Sequence, residues 1–176
     1  MFKPTAGFVF EVMGHKYIVA NTKTLFTIRS LSNMSSEDLD LSHVSGVHKF
    51  SLHDQRVDLE RVNQYHRPLA TNVAGIDAYA FEVSTNNTIC GIVFFQFRIA
   101  MGHPIHYVFI NKLWQMWHRD YRHWTWKLVF VVTEENERDF EEQQWKPSSG
   151  ANTWKGRVSQ YVIGVNAGAL WEAMHT

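Results

Sequence analysis

The sequence has a single cysteine, no long apolar run and no net charge. Cys90 alone excludes an intramolecular disulfide framework and a thiolate metal cluster, and a reducing compartment is the simpler reading. The longest apolar runs, Gly91 to Phe95 and Leu128 to Val132, fall far short of the roughly 18 residues needed to cross a bilayer. No membrane partner is expected. The start, Met1-Phe2-Lys3-Pro4, lacks a basic region followed by an unbroken apolar stretch, so no secretory signal is expected either. Seventeen Lys and Arg balance seventeen Asp and Glu before ten histidines are counted, which gives no global pull on nucleic acid. Any such binding must come from a local feature. HExxH and Cys/His zinc spacings are missing, and no zinc site is expected.

What is present suits one folded domain. The chain has 176 residues, 45% of them apolar and 14% aromatic, enough to bury a core and too much for a disordered tail. Residues 5 to 20 set Phe8, Val9, Val12, Met13, Ile18 and Val19 around Glu11, His15 and Lys16, which predicts an amphipathic helix. Thr24 to Leu31 alternates in a β-branched and aromatic context, a strand leading into a Ser/Asn/Asp-rich loop over 32 to 42. Between 43 and 75 only a short strand near Val47 to Leu52 can be read. Ile76 to Val83, a polar turn over 84 to 88, and Ile89 to Ala100 predict a β-hairpin. A helix over 105 to 120 follows. Trp126 to Val132 has the unbroken apolar character of a central parallel strand. Thr133 is an N-cap candidate for a helix over 134 to 144, residues 152 to 160 read as helical, and Tyr161 to Val165 as a last strand. The expectation is a single α/β domain, a mixed sheet flanked by helices.

The hairpin carries the chemistry. With its turn centred at 86, Asp77 falls opposite residue 95 and within one residue of Gln96. Strand alternation puts Gln96 and Arg98 on one face and Phe95 and Phe97 on the other. A carboxylate and a carbonyl oxygen can hold a hard divalent cation, and a guanidinium beside them can stabilise a pentavalent phosphate. Glu11, a carboxylate in an apolar helix, is a further possible oxygen ligand. The same residues also admit a structural account: Asp77 ending a strand, Gln96 satisfying backbone, Arg98 pairing with Asp77, and Glu11 facing solvent beside Lys16. His103, just past the hairpin, could contact phosphate, activate water or simply fix a turn. Lys112, Trp114, Trp117, His118, Arg119, Arg122, His123 and Trp124 mix cations with indoles, a surface suited to phosphates and stacked bases. Helical spacing equally places Trp117 and Trp114 in the core, and exposed aromatics there would also serve a homodimer interface.

Five words in order, GFVFEVMGHKY (7 to 17), GIDAYAF (75 to 81), FFQFRIAMGHPI (94 to 105), WKLVFVVTE (126 to 134) and Trp154 with QYVIGV (160 to 165), resemble the C-terminal nuclease-like domain of the crinkler and retrotransposon-hot-spot proteins. The resemblance spans about residues 7 to 165. It implies a restriction-endonuclease-like fold of the PD-(D/E)XK type, with Glu11, Asp77 and Gln96 holding Mg²⁺ or Mn²⁺ and Arg98 stabilising developing negative charge. Gln96 and Arg98 stand where that pattern has Glu and Lys. Gln offers one neutral oxygen, and Arg cannot shed its proton to act as a base. No GxxxxGK[S/T] loop occurs, so the NTPase module that often precedes this domain is not expected here. The implied role is a DNA phosphodiesterase of an effector acting in a host-cell nucleus. The rival is a catalytically degenerate module of the same fold that binds DNA or a host protein, with a homodimer as a further form.

Overall fold

The computed structural model describes residues 6–51, 61–70, 75–102, 104–116, 123–146 and 154–175. The elements run α1 (Ala6–Ala20), β1 (Phe26–Ser30), β2 (Ser36–Leu39), β3 (Gly46–Phe50), β4 (Gln64–Pro68), β5 (Ala78–Val83), β6 (Ile89–Phe97), α2 (Val108–Met116), β7 (Thr125–Thr133), α3 (Glu134–Glu137), β8 (Val158–Val165) and α4 (Ala167–His175). The eight strands form one mixed sheet in the order β2-β1-β8-β7-β6-β5-β4-β3. β6, β7 and β8 are parallel to one another, and antiparallel pairs flank them at β1 and β5. Among the described residues no helix is long and apolar enough to cross a membrane.

Each face of the sheet has its own core. Alternation along β6 sends Ile92 and Phe94 to one side, where they meet Leu128 and Phe130 of β7 and Phe109, Ile110 and Leu113 of α2. Val93, Phe95 and Phe97 go to the other side and meet Val129, Val131 and Ile163, covered by Phe10 and Ile18 of α1 and Leu170 of α4. The buried positions of α1 are Phe10, Gly14, His15 and Ile18, a narrow stripe at helical spacing. Gly14 is required there. A Cβ at this position would lie 2.3 Å from Cδ1 of Phe97, so only glycine lets the helix settle on that ring.

The strands expected from β-branched runs and the hairpin are present, and the departures have local causes. The predicted loop over 32 to 42 contains β2, whose polar sequence SEDL belongs to a sheet edge paired with β1. The helix expected over 134 to 144 stops after Glu137. Thr133 makes no side-chain cap bond, and Gln144 and Lys146 are drawn into backbone bonds with Ile105. That pairing also keeps Ile105 extended, so the earlier helix, expected over 105 to 120, starts at Val108, and residues 117 to 120 lie outside the described residues. The helix expected over 152 to 160 gives way to β8 from Val158. Buried Gln160 accepts the Gln143 N–H at 2.8 Å and donates to the Gln143 carbonyl at 2.9 Å, so its polar side chain serves as a second ladder. Two elements, β4 and α4, had no counterpart in the sequence reading. α4 had a legible start, since Asn166 Oδ1 accepts the Ala169 N–H at 2.8 Å as an N-cap residue does.

Candidate functional site

Asp77 stands immediately before β5, and Gln96 and Arg98 lie at the carboxyl end of β6, the end at which parallel strands present crevices to ligands. The register is set near the turn. Val83 faces Ile89 and Glu82 faces Gly91, with an irregularity between them. Skipping Cys90 advances the pairing by one, so Ala78 faces Phe95 and Asp77 falls opposite Gln96. Two bonds fix the carboxylate there. The Asp77 N–H donates to the Phe95 carbonyl at 2.8 Å, and Asp77 Oδ2 accepts the Phe97 N–H at 2.7 Å.

Asp77 is the most perturbed acid of the region. Burial pushes its carboxyl up to about 7, and the negative charge of Glu11 adds to the rise. The Phe97 N–H and the charges of Arg98 and Arg67 work in the opposite direction. Burial also lowers the Arg98 guanidinium from its ordinary value, and Asp77 partly restores it. The structure thus sets Glu11, Arg98 and Arg67 within electrostatic reach of Asp77.

Two further residues join this group. His15, 2% exposed, has its Nε2 3.7 Å from Oε1 of Glu11 and its Nδ1 2.9 Å from the Tyr65 hydroxyl. Burial lowers the His15 pKa, against the pull of Glu11, and raises that of the fully buried Tyr65 well above its ordinary value. A carboxylate, an imidazole and a phenol therefore run from α1 into the sheet. The sequence reading missed Tyr65 and Arg67 because β4 itself was not legible. His15 was legible only as a polar member of α1.

Gln96 is placed differently from Glu11. It aligns with Phe130 and by alternation shares the face of Phe94, whereas α1 covers the face of Phe95 and Phe97. It is 4% exposed, and its Oε1 is buried with no hydrogen-bond partner among the described residues. Asp77 is the link between the two, opposite Gln96 in register and within the field of Glu11.

The donor chemistry at this strand end suits a hard cation. Carboxylate and amide oxygens are its preferred ligands, Gln96 Oε1 lacks a donor, and a cation would relieve the repulsion between Glu11 and Asp77. Among the described residues no three His, Cys, Asp or Glu side chains gather into a metal cluster, so a cation here would depend on Asp77 with Glu11 on the α1 side, and Gln96, on the other face, does not join Glu11 as the sequence led one to expect.

The other expected contacts are spread out. Lys112 is exposed on α2. Trp114 is half-buried, with ring centroids 5.1 Å from Trp126 and 5.7 Å from Trp154, and Arg157 lies 4.6 Å from its centre. Its ring is engaged by the core on the α2 side. His103, Arg119 and Arg122, with Trp117 and His118, lie outside the described residues. Comparison of this chain with family models, with curated proteins and with solved structures gives no match.

Proposed function

We propose that this chain is a restriction-endonuclease-like domain that binds DNA and hydrolyses its phosphodiester bonds with Mg²⁺ or Mn²⁺. The observation that carries the reading is Asp77: a half-buried carboxyl at the carboxyl end of the parallel strands, raised to about 7 and flanked by Glu11 and Arg98. Perturbed acids with a specific charge partner are what sites of proton and metal chemistry require. Glu11 and Asp77 would hold the cation; Gln96, on the face of the sheet away from α1, would not share it with Glu11. When bound, the cation supplies charge stabilisation at the phosphate and lowers the pKa of a water molecule. Arg98 stabilises the negative charge that develops on the phosphate oxygens. Tyr65 and His15 fix Glu11 from behind. Action in a host-cell nucleus belongs to the same proposal and rests on the resemblance alone.

Gln96 favours a second reading. A neutral amide where the chemistry commonly uses a carboxylate weakens cation binding, which suits a degenerate module that keeps the scaffold and binds DNA or a host protein, or pairs as a homodimer. Exposed Phe8, Val9 and Trp171 line an apolar cleft between α1 and α4, a surface such a module would use.

The deciding experiment is plasmid cleavage by purified protein with Mg²⁺ or Mn²⁺. The catalytic reading expects nicking by the native chain and none by Asp77→Asn. A native chain that binds DNA yet never cuts it, with either ion, sinks the catalytic reading and leaves the degenerate module.

A further inference from the structure

A cavity of about 470 Å³ opens between α1, the edge strands and α4, lined by His15, Lys16, Val47, Arg67 and Ala173 among others. Its polar walls are basic or neutral, and among the described residues no Asp or Glu lines it. Arg67 is half-buried, which strips water from the guanidinium. It makes no hydrogen bond and no ion pair among the described residues, and its charge is felt at His15, Tyr65 and Asp77. Lys16 has only a long contact, 3.4 Å, to the Met174 carbonyl. Lys49 pairs in register with Arg67 across the parallel β3–β4 ladder and therefore shares its face. It is exposed.

Three cations with no acid of their own among the described residues thus meet on the α1 side of the sheet, one of them partly desolvated. Two other half-buried cations have acids beside them. Lys127 sits 2.6 Å from Glu37 and 2.8 Å from Glu82, and Arg29 lies 3.6 Å from Glu137. An unmatched, half-buried guanidinium in a cavity calls for an anion from outside, and its planar fork suits the oxygens of a phosphate group.

We propose that Lys16, Lys49 and Arg67 form a phosphate-binding site for a nucleic-acid backbone. The site seats a phosphate next to the one that reaches Asp77 and Arg98. The cavity and the acid site are joined through Arg67, whose field reaches Asp77. This rests on the reading of the chain as a nucleic-acid enzyme, and it moves the backbone contacts from the α2 side, where Lys112 lies, to the α1 side. The ligand class is a phosphodiester chain, read by charge and without base contacts.

The test is fluorescence anisotropy with a labelled DNA duplex and a labelled single strand of the same sequence. EDTA is present so that nothing is cut, and the titration is repeated over a range of salt. The variants are Arg67→Gln with Lys16→Gln, the same pair with Lys49→Gln added, and, as a control that removes two positive charges elsewhere, Lys155→Gln with Lys112→Gln, both at exposed lysines. The double variant should bind at least about tenfold more weakly, with a log–log salt slope shallower by about 0.7 to 0.9 for each phosphate that is no longer neutralised. The triple variant should bind more weakly still, and Lys155→Gln with Lys112→Gln should match the native chain. If Arg67→Gln does not melt cooperatively, charge reversal at exposed Lys16 and Lys49 carries the same expectation. Unchanged affinity and slope in the double or charge-reversed variants overturns the site, and Asp77-dependent cleavage that survives in them leaves the catalytic reading standing. Weakened binding in a protein whose native form never cuts supports the site and overturns the catalytic reading. Thermal stabilisation by inorganic phosphate that Arg67→Gln abolishes, without binding of either strand form, overturns the polymer as ligand and leaves a site for a small phosphate.

Discussion

Asp77 accepts the backbone N–H of Phe97 through Oδ2 at 2.7 Å, so the carboxyl that opens one hairpin strand closes the end of the other. The bond holds whether or not the acid is ionised, because a protonated carboxyl keeps a carbonyl oxygen as acceptor. The group can therefore titrate without letting go of the strand.

The pH dependence of stability should show this acid. Its folded pKa, about 7, lies above the ordinary 3.8, so between these values the folded chain holds more protons than the unfolded one. Stability falls as pH rises through that window and levels off above it. Asp77→Asn keeps the acceptor for Phe97 and removes the titration. Denaturant unfolding should show a flatter profile and a gain of up to about 4 kcal/mol above about pH 8, at about 1.4 kcal/mol per unit of pKa. An unchanged profile would mean that another group titrates.

A cation at the strand end should be visible without activity. Gln96→Glu places a carboxylate where the buried Oε1 has no partner among the described residues, which should lower the melting temperature in EDTA because a second acid then faces Asp77. Mg²⁺ or Mn²⁺ should then raise it more than in the native chain. Gln96→Leu removes an unsatisfied acceptor and should be near neutral or stabilising by about 1 kcal/mol. No ion-dependent shift in Gln96→Glu would argue against a cation between these groups.

Gly14→Ala reverses a common rule. In an exposed helix the change stabilises by about 1 kcal/mol. Here the new methyl would strike Phe97, whose ring is held by Phe10 and His15. A loss of about 1 to 3 kcal/mol is expected from overpacking. Thermal unfolding checks the sign.

Lys127 ties Glu37 of β2 to Glu82 of β5 across the sheet. Lys127→Met leaves two partly solvated carboxylates without their cation and should cost about 1 to 2 kcal/mol. Adding Glu82→Gln should recover part of that loss. A double-mutant cycle reads the coupling, expected between about 0.5 and 3 kcal/mol, and strict additivity would show that the network contributes nothing as a unit.

The sequence by itself determined what depends on neighbours along the chain. The alternation that made the β5–β6 hairpin and the unbroken apolar run that made β7 are local periodicities, and the extent of α1 was legible too, although its buried face was not: Phe10, Gly14, His15 and Ile18 are buried while Phe8 and Val9 are exposed. They were enough to set a single mixed α/β sheet and to put Asp77 within a residue of Gln96. β2 and β4 were not legible in this way, because their polar residues are held by partner strands and carry no apolar period of their own. The helix read over 152 to 160 became β8 because Gln143, seventeen residues from Gln160, supplies the bonds that bury that amide. Tertiary structure alone decided the irregularity at Glu82 and Val83 that set the final register, the field of Glu11 at Asp77, and the separation of Gln96 from α1 by the thickness of the sheet. It alone brought His15 to Tyr65 and left Arg67 in a cavity that no acid among the described residues lines. Charge, burial and hydrogen bonding act through space, and those distances exist only once the chain has folded.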